Sequence, residues 1–119
     1  MFRVLTTDEY NARPWEGGCR VGTLDRAPGA IHEAFGTATI NEVSGDNKVD
    51  REWIILCEET DETWGIYAYK ATSLYYSSGP SPSAFWASKA KSDLSIGGNT
   101  PPPPEFYDWV DAKIAEVSS

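Results

Sequence analysis

The segment Trp53-Ile54-Ile55-Leu56-Cys57 constrains this chain more than any other. Successive residues of a strand point to opposite faces, so Trp53, Ile55 and Cys57 face one way and Ile54 and Leu56 the other. Both faces are apolar. Such a strand belongs inside a sheet that is covered on both sides. Arg51 to Glu58 is therefore read as the central strand, and the remaining chain must supply two covers. C-terminal helices are expected on one face. The N-terminal segment, or another chain, is expected on the other.

The flanks predict how that strand is paired. Residues 37–43 alternate and are rich in β-formers, and Ser44-Gly45-Asp46-Asn47 is turn chemistry. Glu59-Thr60-Asp61-Glu62 makes the next turn, and Trp64 to Lys70 a third strand running toward Tyr76. This predicts a β-meander over residues 37–76. Residues 1–36 read as short strands and irregular turns, including a turn at Trp15-Glu16-Gly17-Gly18. Thr6 and Thr7 before Asp8 and Glu9 allow one helical turn. Ala30 to Phe35 leaves helix and strand open, with Gly36 placed to stop a helix.

Beyond a Ser/Pro/Gly loop, residues 83–92 read as a helix that Ile96-Gly97-Gly98-Asn99-Thr100 breaks. Pro101 to Pro104 is a stiff spacer, a minimal Pro-x-x-Pro beside an acidic rather than basic flank. Phe106, Trp109, Val110, Ile114 and Val117 then form one apolar stripe, which predicts a helix over 104–117. The expected fold class is α+β: a small antiparallel meander of about three to five strands, packed with two C-terminal helices. The 119 residues make one domain.

Charge narrows the partners. The chain carries a net charge of −8, and residues 41–62 hold most of the surplus. There Glu42, Asp46, Asp50, Glu52, Glu58, Glu59, Asp61 and Glu62 stand against only Lys48 and Arg51. Direct binding to nucleic-acid backbone or to an anionic membrane is disfavoured. No apolar run reaches the length of a membrane span, and the opening residues carry acids where a signal peptide needs an apolar stretch. A cytoplasmic setting with reduced thiols is expected for Cys19 and Cys57. Cys57 reads as a small buried hydrophobe, and Cys19 as the more exposed thiol.

Motifs for chemistry are sparse. Cys19 and the single His32 could in principle pair as nucleophile and base, but no local signature surrounds either. There is no Cys-x-x-Cys and no pair of histidines for zinc. In Asp46-x-Lys48-x-Asp50-x-Glu52, a lysine occupies a position where a calcium loop needs a ligand. Neither Gly17-Gly18 nor Gly97-Gly98 precedes the Lys-Ser or Lys-Thr of a phosphate cradle. No catalytic residue, metal or cofactor is expected.

Aromatic residues are the other surplus, with five Trp and six Tyr. Trp53, Trp86 and Trp109 fall on apolar faces and are expected in the core. Tyr67 and Tyr69 share a strand face, and Tyr75 and Tyr76 precede a loop. Tyrosine is a favoured anchor at protein interfaces. The expectation is a non-enzymatic module that grips a basic protein surface with an acidic hairpin, Glu42 to Glu62, and these tyrosines. Basic surfaces commonly hold nucleic acid, so the expected partner is a nucleic-acid-binding host protein. Small acidic inhibitors that phages and mobile elements direct against host defence proteins form a class with these attributes. Two alternatives remain: a self-associating assembly subunit, and a small enzyme built on Cys19 and His32.

Overall fold

Phe2–Val4 (β1) does not begin a separate unit; it pairs directly with the central strand, Glu52–Cys57 (β3). The structure, a computed structural model, describes residues 1–13 and 18–118. The other strands are Cys19–Arg26 (β2), Thr63–Tyr67 (β4) and Ser92–Gly98 (β5). Among the described residues these five strands form one antiparallel sheet in the order β1-β3-β4-β5-β2. The helices are Thr7–Asn11 (α1), Pro28–Phe35 (α2), Pro82–Phe85 (α3) and Pro104–Ser118 (α4). The α+β class and the antiparallel sheet thus follow the sequence, as does the C-terminal helix.

The central strand is covered on both faces. Trp53 and Ile55 lie in the main core with Leu24, Ile31, Trp64, Ile66, Leu94, Ile96, Phe106 and Val110. Helices α2 and α4 supply Ile31, Phe106 and Val110 to that layer. Ile54 and Leu56 form a second cluster with Leu5, against which Tyr10 and Ile40 pack. The N-terminal segment is therefore the second cover. Burying side chains of this size contributes roughly 1.5–3 kcal/mol each. Buried indoles also find acceptors: Trp53 Nε1 donates to the Gly36 carbonyl at 3.1 Å and Trp64 Nε1 to the Thr100 carbonyl at 2.8 Å.

Local signals explain the helices that form. Thr6 caps α1: its hydroxyl accepts from the Glu9 amide, and the Glu9 carboxylate accepts from the Thr6 amide. Pro28 sits in the first turn of α2, and Gly36 ends it at a φ of 70°.

Four segments depart from the sequence reading. The meander over 37–76 reduces to β3 and β4. Residues 37–43 form no strand, only an isolated bridge from Ile40 to Glu52. The reason is competition for the outer edge of β3. β1 takes that edge from Ile55 to Cys57, and the Leu5 amide donates to the Ile54 carbonyl at 2.8 Å. The buried Thr39 hydroxyl then accepts from the Ile54 amide at 3.0 Å and donates to the Leu5 carbonyl at 2.6 Å. β4 stops at Tyr67, and Lys70 turns the chain with a φ of 56°.

The helix expected over 83–92 is a single turn, α3, and the Gly97-Gly98 segment is not a break but the end of β5. Neighbours on β4 leave little room for side chains there. A Cβ on Gly98 would lie 2.9 Å from Trp64 Cδ1, and one on Gly97 3.3 Å from Tyr67 Cε1. Residues 1–36 are also more regular than expected: they hold the eight-residue strand β2 and helix α2. The turn expected at Trp15-Glu16-Gly17-Gly18, and Trp15 itself, fall on positions 14–17, outside the described residues, apart from Gly18.

Candidate functional site

The acids that cluster in sequence do not cluster in space. β3 runs between them, and Glu52 and Cys57 lie about 17 Å apart along an extended strand. Glu58, Glu59, Asp61 and Glu62 occupy the β3–β4 turn at one end. All four are exposed. Three of them meet cations: Glu58 lies 3.4 Å from Arg3, Asp61 3.3 Å from Arg13, and Glu59 contacts the Met1 ammonium. Glu62 accepts from the Thr100 hydroxyl at 2.8 Å. Exposed pairs of this kind are weak and exchangeable.

Glu42, Asp46 and Asp50 lie at the other end, in the connection from Ile40 to β3. Glu42 and Asp46 are exposed. The Ser44 hydroxyl, then the Lys48 amide, hydrogen-bond Asp46 and hold its carboxyl below the usual range. Asp50 is only 8% exposed, against the expectation that it faces a partner. Its carboxylate is bound by Trp86 Nε1 at 3.1 Å and Arg51 Nε at 2.9 Å, so it serves the interior.

Glu52 and Tyr67 are cross-strand partners on the second face of the sheet. Both are half-buried rather than exposed. Glu52 lies across Gly65, whose missing side chain leaves room for the carboxyl. Burial pushes that carboxyl up to about 7. Burial, and then the neighbouring Glu52, also raise the Tyr67 phenol.

Tyr69, Tyr75 and Tyr76 behave differently. They are 51%, 39% and 52% exposed, and the rings of Tyr75 and Tyr76 meet edge to face at 4.8 Å. Two lysines tie the group together. Lys70 Nζ lies 5.2 Å from the Tyr69 ring centre and 4.8 Å from that of Tyr75, and Lys48 Nζ lies 5.8 Å from Tyr69. The Lys70 amide donates to the Lys48 carbonyl at 2.7 Å, which docks the 41–50 loop against this surface. Lys48 also lies 3.6 Å from Asp46. The patch therefore joins Asp46 to Tyr69, Tyr75 and Tyr76, and leaves Glu58, Glu59, Asp61 and Glu62 at the far end of β3. Lys48 and Lys70 are the members that sequence reasoning missed. The adjacency of Tyr69 and Lys70 was the available signal.

Cys19 and His32 are not brought together. His32 meets Trp53 of β3 edge to face at 6.3 Å, whereas Cys19 lies on β2 opposite Gly98. Three strand spacings separate β2 from β3, about 14 Å. Cys19 is exposed, and Cys57 is half-buried against the main core. Among the described residues no group of His, Cys, Asp and Glu is arranged to hold a metal ion, and no helix is long and apolar enough to cross a membrane.

No protein-family model matches this sequence, and no curated protein matches it.

Proposed function

We propose that this chain is a protein-binding module that docks onto a basic protein surface, with Tyr69, Tyr75 and Tyr76 as its anchors. What carries the reading is the exposure of three neighbouring tyrosines in a chain whose Trp53, Trp64 and Trp86 are buried. Tyrosines offer large, rigid, amphipathic contact area at low entropic cost, which suits interface anchors. Lys48 and Lys70 lie over the Tyr69 ring and Lys70 over that of Tyr75, and Tyr76 packs edge to face on Tyr75, which favours a preset arrangement of the three rings. The net charge of −8 supports the sign of the partner, since a field of one sign steers an oppositely charged surface into contact.

The separation of acids and tyrosines divides the labour. The patch makes the contacts, and the β3–β4 turn contributes to the long-range field. A basic groove that ordinarily holds nucleic acid is the surface such a chain would occupy in place of phosphate. The chain then acts as a steric inhibitor of a nucleic-acid-binding host protein, in the manner of phage and mobile-element antagonists of host defence.

The test is capture from host lysate at low and high salt, using the wild type and a Tyr69→Ala/Tyr76→Ala variant. Expected is a basic protein retained by the wild type at low salt, released by salt and lost by the variant. That protein should lose its nucleic acid when the wild-type chain is added. Equal capture by both forms, or retention of acidic proteins only, overturns the reading.

A further inference from the structure

We propose that the cleft between α2 and α3 is a binding site for a small ligand carrying a phosphate or carboxylate group. The cleft shares no residue with the tyrosine patch and does not depend on it.

A cavity of about 340 Å³ opens there, lined by His32 and Glu33 of α2, by Arg51, and by Ser83, Trp86 and Lys89 of α3 and the residues after it. That volume is in the range of small-molecule sites. Its lining holds one arginine and one lysine against one carboxylate, with the single histidine beside them, in a chain of net charge −8; Asp50 lies behind Arg51 rather than in the lining.

Arg51 is the centre of the argument. Its Nε donates to Asp50 at 2.9 Å, and its guanidinium lies 5.6 Å from the Trp86 ring centre. Asp50 is itself fixed by the Trp86 indole at 3.1 Å. One edge of the guanidinium is thus tied down, and its plane is held over an aromatic ring. Among the described residues neither Nη donates to a protein acceptor. What remains is a fork of donors, half-buried and already oriented, which is the geometry that recognises an oxyanion through two parallel bonds. Lys89 is exposed and supplies a second positive charge without an acid of its own among the described ion pairs. The Ser83 hydroxyl adds a neutral donor, and Glu33 an acceptor for a hydroxyl or amine elsewhere on the ligand.

The walls are preformed. The Gly29 amide donates to the Ser88 carbonyl at 2.8 Å, and a Cβ on Gly29 would lie only 2.8 Å from that same oxygen. The start of α2 is therefore clamped against the segment after α3, and the cleft between them has a fixed width. Binding needs little reorganisation, which favours affinity.

The experiment is a titration of the intact protein with inorganic phosphate and, separately, with acetate, at constant ionic strength made up with chloride. Amide and His32 ring resonances are followed by NMR. Saturable shifts confined to residues around 29–33, 51 and 83–89 are expected. Saturation by phosphate alone assigns a phosphoryl ligand, by acetate alone a carboxylate ligand, and by both the shared oxyanion chemistry. Lys89→Glu is an exposed change that leaves the core untouched, and it should weaken binding about tenfold or more. Arg51→Lys keeps a charge beside Asp50 but loses the fork, and should also weaken binding in a variant whose amide spectrum shows it folded. Shifts that never saturate, that follow every exposed lysine, or that are unchanged in Lys89→Glu overturn the proposal.

Discussion

The indole of Trp86 donates to the carboxylate of Asp50 at 3.1 Å, across 36 positions of sequence, and both residues are buried. This bond ties the turn after α3 to the residue two positions before β3. Arg51 completes the group by occupying the other carboxylate oxygen at 2.9 Å. A buried carboxylate with two donors is tolerated; the same donors without it are not.

Asp50→Ala is therefore expected to destabilise the fold by about 2–4 kcal/mol, because it strands a buried N–H and a half-buried guanidinium together. Urea unfolding at neutral pH measures this directly. A loss below about 0.5 kcal/mol, the level of an ordinary surface change, would show that the group is not structural.

Glu52 makes stability depend on pH. Its carboxyl titrates at about 7 in the folded chain against 4.5 for the unperturbed group. The folded state thus holds this proton more tightly than the unfolded one, and stability falls as pH rises from 4.5 through 7. Above that window the full cost applies; below it there is none. Glu52→Gln should stabilise the protein at pH 8 by on the order of 2 kcal/mol, after allowance for partial exposure, and leave it nearly unchanged at pH 4. Thermal melts of both forms across this range give the answer.

Gly65→Ala addresses the same carboxyl by geometry. A Cβ at Gly65 would collide with the Glu52 side chain, which must swing toward water. The Glu52 carboxyl should then titrate closer to its ordinary value, as followed by carboxyl-carbon NMR. A titration unchanged from wild type would show that the glycine is not what admits the group.

Gly98→Ala probes the close approach of β5 to β4. The added methyl meets Trp64 Cδ1 at 2.9 Å, with the Thr63 carbonyl 3.3 Å away. Trp64 is only 2% exposed and cannot step aside freely. The expected cost is about 1–3 kcal/mol by urea unfolding.

The proposed partner separates two contributions kinetically. Charge reversal at Glu58, Glu59, Asp61 and Glu62 should slow association and flatten its salt dependence, with the dissociation rate little changed. Tyr69→Ala/Tyr76→Ala should do the reverse and speed dissociation. Surface plasmon resonance against the captured protein distinguishes the two, and identical effects of both variants would dissolve the division.

The sequence made the central strand legible because Trp53 to Cys57 leaves only one environment in which both faces are satisfied. α4 was legible for a similar reason, since Phe106, Val110 and Ile114 repeat at helical spacing. Residues 37–43 misled because alternation records a strand's willingness to pair, not which segment wins the edge; β1 holds that edge through Cys57, Leu56 and Ile55. Gly97 and Gly98 misled because glycine marks both a chain break and a tight approach, and only Trp64 and Tyr67 across the strand decide between them. The site was half legible. Tyr69, Tyr75 and Tyr76 were visible as a surplus, whereas the division of the acids required knowing that β3 separates them. The buried role of Asp50 required knowing that Trp86 reaches it.

The strand order carries a consequence for how the chain is made. β1 and β2 are made before the other three strands, yet they end at the two rims of the sheet. Each must wait for a later neighbour: β1 for β3, and β2 for β5, whose last residue is Gly98. A nascent chain halted before residue 92 holds an eight-residue strand with nothing to pair with. The sheet closes only once β5 has been made, so synthesis favours one late, concerted folding event over stepwise assembly from β1 onward.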